Sequence, residues 1–165
     1  MERSQDFEHA YLDYADKIYR FLYWQTSDSS LAEDLTSEAF SRAWNKRRTF
    51  SEGSVQAWLF RIARNLLIDY RRKKKELPLR DIGGIMESLN RESMATAYER
   101  SDEIWHMRQA LDDLPDNLRG VTVLRFIEEL SVREVAEILD LSEGNVRTLQ
   151  FRALRHLRRT LNNEK

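Results

Sequence analysis

The sequence has no cysteine, only two prolines and only five glycines among its 165 residues. The lack of cysteine excludes disulfide bonds and thiolate metal ligands, and is typical of proteins of the reducing cytosol. Few helix breakers and no sustained alternation of apolar and polar residues predict an all-α fold. No apolar run approaches the roughly 20 residues that cross a bilayer, and the start of the chain is polar and acidic. We therefore expect a cytoplasmic protein with no membrane insertion.

The net charge of −1 conceals blocks of opposite sign. Residues 1–40 contain nine acids and three bases, and residues 87–118 contain eight acids and three bases. Residues 61–80 contain eight bases and two acids, whereas residues 144–165 contain six bases and one acid. Two separated basic blocks indicate two surfaces that meet a polyanion, although either block alone could be a solvated helix face.

Apolar periodicity divides the chain into two helical units. Three helices are predicted in residues 1–75, at about 5–26, 30–48 and 55–75, and a capping box of Ser30 and Glu33 opens the second. The periodicity fails over residues 76–100, which contain Pro78 and Gly83, so this segment is predicted to be a flexible linker. Four more helices are predicted in residues 101–165, at about 101–114, 116–129, 131–139 and 142–161. The sequence thus predicts two small helical domains, the second a four-helix unit.

The last two predicted helices have the features of a helix-turn-helix. Ser131 and Glu134 form a second capping box, and Ser142 can cap the next helix after a very short turn. An ordinary helical hairpin is the alternative, but the final helix also has a face suited to phosphates and base edges. That face consists of Arg147, Thr148, Phe151, Arg152 and Arg155. This pattern favours DNA reading.

Two further faces are candidates for binding. The third helix presents Arg61, Asn65, Ile68 and Arg72 opposite its apolar stripe, next to a polar loop around residues 50–54. A basic helix beside such a loop could hold single-stranded DNA, while Trp58 is expected in the core rather than as a stacking platform. The second helix presents Asp34, Ser37, Glu38 and Ser41. This acidic face is either solvated or a contact for a basic partner.

Three segments, in order and spacing, resemble the signatures of extracytoplasmic-function (ECF, group IV) sigma factors of the sigma-70 family. They are AEDLTSEAFSRAW, AWLFRIARNLLIDYRRKKK and LDDLPDNLRGVTVLRFIEELSVREVAEILDLSEGNVRTLQFRALRHL. The resemblance covers nearly the whole chain. It implies an alternative sigma factor that binds core RNA polymerase and directs promoter-specific transcription initiation.

The resemblance also implies a role for each part of the chain. Residues 1–75, as sigma region 2, would dock on the β′ clamp helices and recognise and open the −10 element, and residues 101–165, as region 4, would sit on the β flap and read the −35 element. The implied polymerase contacts are Asp34, Ser37 and Glu38. The implied −10 contacts are Phe50, Ser51, Ser54, Arg61, Asn65, Arg71 and Arg72. The implied −35 contacts are Arg147, Thr148, Phe151, Arg152 and Arg155. Promoter DNA and an anti-sigma factor are the remaining implied partners.

Two other classes of protein fit the sequence less well. A stand-alone helix-turn-helix regulator would bind duplex DNA without polymerase, but it has no need of the acidic face and the basic third helix together. An enzyme is disfavoured because the three histidines fall on separate predicted helices and no Gly-rich phosphate loop is present. The sequence therefore predicts no catalytic residue, no cofactor and no metal site.

Two residues depart from the pattern of the resembled family, and a third is unexpected in a helix. Leu149 and Gln150 stand where many relatives carry a basic residue and then an apolar one, so the apolar stripe of the last helix could be slightly rotated. Gly120 lies inside a predicted helix, where glycine costs about 1 kcal/mol relative to alanine.

Overall fold

The computed structural model describes residues 4–76 and 101–163, and no strand occurs among them. The chain divides into two compact units between residues 94 and 95. The predicted linker lies outside the described residues, apart from Glu76, which ends a helix. The α-helices of the described residues are α1 (Ser4–Thr26), α2 (Ser29–Lys46), α3 (Val55–Glu76), α4 (Asp102–Asp112), α5 (Asp116–Thr122), α6 (Val132–Leu139) and α7 (Glu143–Asn163). The all-α fold with two helical units is confirmed.

In the N-terminal unit, α1, α2 and α3 each pack against the other two. The rings of Phe21 and Phe60 meet edge to face with centroids 5.5 Å apart. Alanines on α2 and α3 keep the helices close, because a methyl group takes little space between two backbones. The fully or nearly fully buried residues include Ile18, Phe21, Leu22, Ala39, Ala43, Leu59, Phe60, Ala63 and Leu66. Trp58, expected in this core, is only half-buried.

The start of α2 differs from the prediction. Asp28 lies in extended backbone and its Oδ1 accepts a hydrogen bond from the Leu31 amide at 3.0 Å. Asp28 is therefore the N-cap, and the predicted capping box of Ser30 and Glu33 is wrong, because Ser30 already lies within the helix. After Lys46 the chain tightens into a single 3₁₀ turn, Arg47–Thr49.

The C-terminal unit begins with α4, which Ser101 caps through a hydrogen bond from the Ile104 amide. The end of α4 and the following turn are held by Arg119, whose guanidinium donates to the Leu111 carbonyl at 2.8 Å and the Leu114 carbonyl at 2.9 Å. These bonds add a donor to the Leu111 carbonyl at the helix end, which also accepts from the Leu114 amide at 3.1 Å, and to the Leu114 carbonyl in the turn that follows. Arg119 therefore fixes the junction between α4 and α5.

The predicted helix over residues 116–129 changes type along its length. It is α-helical as α5 and then π-helical over Val123–Ile127, with the Glu128 amide donating to the Val123 carbonyl at 2.9 Å. Gly120 is buried on α5. The backbone of α5 at that point therefore lies in the core with no side chain between it and its surroundings.

The helix-turn-helix is confirmed, and both predicted serine caps are present. Of the predicted capping box of Ser131 and Glu134, the described residues show the Ser131 bond but no return bond to the Glu134 carboxylate. Ser131 caps α6 by accepting from the Glu134 amide at 3.1 Å, and Ser142 caps α7 by accepting from the Asn145 amide at 3.1 Å. Between the helices, Asp140 is left-handed with φ 55°. The buried residues of this motif include Val135, Ala136, Ile138, Val146 and Ala153.

Candidate nucleic-acid interface

The outer face of α7 contains the five predicted DNA-reading residues, and all five are exposed. At 3.6 residues per turn, Arg147, Phe151 and Arg152 fall within an arc of about 140°. Phe151 exposes 66% of its surface, although its ring is among the largest apolar groups on the helix. On the opposite side, Val146 and Ala153 are fully buried. The helix thus separates a basic outer face from a packed inner face.

The polar groups of this outer face are only weakly engaged within the protein. Arg147 lies 3.6 Å from Glu143, but both side chains are about half exposed or more, so this ion pair contributes little. Thr148 donates its hydroxyl to the Gly144 carbonyl at 3.1 Å. The ion pair leaves Arg147 able to turn toward a phosphate or a guanine, and the Thr148 methyl group takes no part in the hydroxyl bond.

The two departures from the family pattern both lie at the margin of the inner face. Leu149 and Gln150 are half-buried, and the Gln150 amide oxygen accepts a hydrogen bond from Arg125 at 2.9 Å. The polar side chain at position 150 therefore has a partner inside the unit. Sequence reasoning missed Arg125, because 25 residues separate it from Gln150.

In the N-terminal unit, Arg61, Asn65 and Arg72 are exposed on α3, and Ile68 between them is 45% exposed. Arg72 lies 3.4 Å from the exposed carboxylate of Asp69. The structure therefore brings these predicted residues onto the accessible surface of one helix.

Arg71 is in a different position from its neighbour Arg72. Its guanidinium donates to the main-chain carbonyl of Gln25 at 2.7 Å, and Gln25 itself is buried on α1. This bond ties the end of α3 to the end of α1. Sequence reasoning grouped the two arginines because nothing local indicates which one turns inward.

The loop before α3 forms one wall of a hollow of about 370 Å³. Phe50 packs on Trp58 with ring centroids 5.1 Å apart, Ser51 is exposed, and Ser54 accepts from the Ala57 amide as the cap of α3. The hollow is lined by Asp6, His9, Ala10, Asp13, Tyr14, Phe50 and Val55. The contribution of α1 was missed, because it depends on packing between segments some 40 residues apart in sequence.

The acidic side of α2 is accessible, as expected, with Asp34, Ser37 and Glu38 all exposed. Glu38 pairs with Arg42 at 2.8 Å one turn later, and both side chains are substantially exposed. Such a pair adds only a few tenths of a kcal/mol to the helix, so Glu38 can exchange partners.

The C-terminal unit also has an apolar groove of about 520 Å³, which sequence reasoning did not anticipate. Its walls are formed by α4, the end of α5 with the π-helical segment, and α7. The lining residues include Met107, Leu111, Phe126, Leu154, Leu157 and Leu161. Large exposed apolar side chains gathered in one place are typical of interaction sites.

Comparison with known proteins identifies the family. Residues 10–76 match the Sigma-70 region 2 family model, and residues 110–159 match the Sigma-70, region 4 model. The chain is 34% identical over 156 residues to the ECF RNA polymerase sigma factor SigM of Bacillus subtilis, covering 94% of each chain. The chain belongs to the ECF sigma factors. As an ECF sigma factor, it directs promoter-specific transcription initiation with RNA polymerase.

Other relatives of this ECF sigma factor agree with the assignment. SigW of Bacillus subtilis is 35% identical over 161 residues, covering 90% of this chain and 84% of that protein. The solved structure of the sigma factor RpoE in complex with the anti-sigma factor NepR, from Bartonella quintana, matches with a TM-score of 0.78 at 26% identity. That match covers 98% of this chain and 99% of the other. The alternative of a stand-alone regulator does not account for the region 2 match.

A membrane-spanning helix and a cluster of metal ligands are both absent from the parts of this ECF sigma factor that the structure describes. Within residues 4–76 and 101–163, no helix is both long and apolar enough to span a bilayer. Over the same residues, no cluster of three or more histidine or carboxylate side chains is arranged to hold a metal ion.

Proposed function

We propose that the outer face of α7 reads the −35 element, with Arg147, Thr148, Phe151, Arg152 and Arg155 as the contacts. The separation of a basic, exposed face from a packed face on this one helix carries the proposal. Arginine can donate two hydrogen bonds to a guanine edge, and threonine or phenylalanine can touch a thymine methyl group. The weak ion pair of Arg147 adds little cost to such contacts.

The N-terminal unit is proposed to bind and open the −10 element through the loop before α3 and the exposed side of α3. The hollow beside Phe50 is large enough for an unpaired base, and Arg61 and Arg72 can neutralise backbone phosphates. Asn65 offers an amide to a base edge, and Ser51 is exposed on the loop. Ser54 and Arg71 would contribute indirectly, since one caps α3 and the other binds Gln25.

Docking on core polymerase is proposed to use both units. Asp34, Ser37 and Glu38 form an exposed acidic side of α2 suited to basic groups of the β′ clamp helices. The apolar groove of the C-terminal unit is suited to the β flap. RpoE of Bartonella quintana forms a complex with an anti-sigma factor, and we propose that this chain too is held by one. It would act in the cytoplasm, where polymerase and chromosome meet, with no catalytic activity and no cofactor of its own.

Run-off transcription with core polymerase, with start sites mapped across genomic DNA, tests the −35 proposal. Arg147→Ala and Arg152→Ala should each lower transcription from −35-dependent promoters by about 5- to 150-fold, since a lost base contact costs roughly 1–3 kcal/mol. Arg158→Ala removes the same charge from the same side of α7, about one turn beyond Arg155 and outside the proposed base contacts. It should cost at most a phosphate contact and have a smaller effect, equal on intact and scrambled −35 sequences.

Scrambling the −35 sequence separates base reading from backbone contact. If Arg147→Ala and Arg152→Ala lower transcription equally on intact and scrambled −35 sequences, these residues contact phosphate alone. A protein that starts no RNA beyond the level of core polymerase would contradict the whole proposal.

A further inference from the structure

Arg125 connects three parts of the C-terminal unit through one half-buried guanidinium. Its Nε donates to the Gln150 side-chain oxygen at 2.9 Å, and its Nη1 donates to the Leu130 carbonyl at 2.6 Å. Leu130 directly precedes Ser131, the N-cap of α6. The same group is thus bonded both to the entry of the helix-turn-helix and to its second helix.

The backbone around Arg125 is itself unusual. Arg125 is the central residue of the π-helical segment Val123–Ile127, and the turn that follows is closed by the Leu130 amide donating to the Leu124 carbonyl at 3.0 Å. Short π-helical segments are rare and frequently occur at functional sites. Because they wind more loosely than an α-helix, they change the direction in which side chains point.

Gln150 occupies a boundary position on α7. At about 100° per residue, it lies some 60° around the helix from Arg147, between the buried side and the exposed side. A hydrogen bond at the boundary resists rotation of α7 about its own axis more than apolar contacts do, because it requires a particular distance and direction. The hydrogen bond therefore influences the angle at which the Arg147 and Phe151 side chains would enter a DNA groove.

We propose that Arg125 and Gln150 are a positioning pair that sets the rotation of α7, and through it the base selectivity of this sigma factor at the −35 element. Neither residue needs to touch DNA. The proposal rests on the proposed function of α7 as the reading helix. It also gives a role to the polar side chain at position 150, which lies half-buried at the margin of the packed face.

The test uses the full chain with core polymerase and one mapped promoter, in which each base of the −35 region is substituted in turn. The readout is selectivity, the ratio of transcription from the best base to transcription from the worst at each position. Gln150→Leu and Arg125→Lys should each reduce the largest ratios by about tenfold, because a hydrogen bond to a charged group is lost or weakened. Gln150→Glu keeps an acceptor for Arg125 and should stay within about twofold of the wild type.

Controls distinguish positioning from stability. Gln109→Leu makes the same chemical change on the exposed side of α4 and should leave selectivity unchanged. The double variant Arg125→Lys, Gln150→Leu should be as selective as the less selective of the two single variants. This is the result expected when both changes remove the same interaction. Thermal unfolding of each variant reports whether the C-terminal unit is folded. If Gln150→Leu does not fold, the selectivity of Arg125→Lys alone tests the proposal.

The possible failures differ in what they overturn. If Gln150→Leu lowers transcription to the same extent on every −35 variant, with all ratios kept, the pair only stabilises the unit and the positioning proposal is overturned. If the wild type itself shows no preference among −35 bases, the reading role of α7 fails, and the positioning proposal fails with it.

Discussion

Arg71 and Arg72 show how neighbouring residues of the same type acquire different roles. Residues 71 and 72 are about 100° apart on α3, so one guanidinium points back toward α1 while the other points outward. Arg71 donates to the carbonyl of Gln25, while Arg72 meets only the exposed carboxylate of Asp69 among the ion pairs of the described residues. Both residues add one positive charge to α3, but we expect Arg71 to contribute to the stability of the fold and Arg72 to DNA binding.

Replacing the two arginines should separate stability from DNA binding. Arg71→Ala should lower the free energy of unfolding by about 1.5–3 kcal/mol, because a charged hydrogen bond is lost and a carbonyl beside the core loses its donor. Arg72→Ala should change it by less than about 0.5 kcal/mol, because its ion pair is exposed. Urea denaturation followed by tryptophan fluorescence measures this, since three of the four tryptophans lie in the N-terminal unit. Equal losses for the two variants would contradict the assignment.

At the scale of single helices, the sequence was sufficient where the determinants are local. The periodicity of α1, α3 and α7 and the serine caps of α6 and α7 depend on residues within a few positions of one another. The cap of α2 was misassigned because three candidate residues, Asp28, Ser29 and Ser30, follow one another, and backbone conformation chooses among them. The apolar groove depends on partners distant in sequence. The π-helical segment and the Arg119 bonds join residues only five to eight positions apart, but they depend on backbone geometry that the apolar pattern does not specify.

The caps of the helix-turn-helix allow a direct stability test. Ser131→Ala and Ser142→Ala should each destabilise the C-terminal unit by about 1 kcal/mol, because the Glu134 and Asn145 amides lose their acceptors. Ser41→Ala, on the exposed middle of α2, makes the same change without a capping bond and should be neutral or slightly stabilising. Amide hydrogen exchange of α6 and α7 should accelerate in the first two variants only. Unchanged exchange would show that these hydroxyls do not support the helix ends.

At the scale of the whole molecule, the near-zero net charge arises from basic and acidic segments that offset one another. Basic residues concentrate on α3 and α7, the two helices proposed to meet DNA, while acidic residues are frequent on α1 and α2. Acidic surface elsewhere on the chain weakens attraction to free DNA, since non-specific binding follows the overall electrostatic field. We therefore expect promoter selection to depend on assembly with polymerase.

Charge reversal on α2 tests whether its acidic face contacts core polymerase. Asp34→Lys and Glu38→Lys should each weaken binding to core polymerase by tenfold or more, because like charges would face one another at the proposed contact. Asp16→Lys makes the same change on the exposed part of α1 and should bind normally. Anisotropy of labelled protein titrated with core polymerase gives the affinities. If all three variants bind equally, the acidic face of α2 is merely solvated.

The two-sided character of α7 also has an evolutionary consequence. Because Val146 and Ala153 hold the helix in place while Arg147 and Phe151 lie outside the packing, most substitutions on the outer face leave the fold intact. Duplicated copies of such a gene can therefore diverge in promoter preference one residue at a time, without first losing a folded protein. Position 150, at the margin of the packed face, differs from the outer-face positions, since a change there acts both on packing and on the proposed orientation of the outer face. It marks where new specificity would require two coordinated mutations.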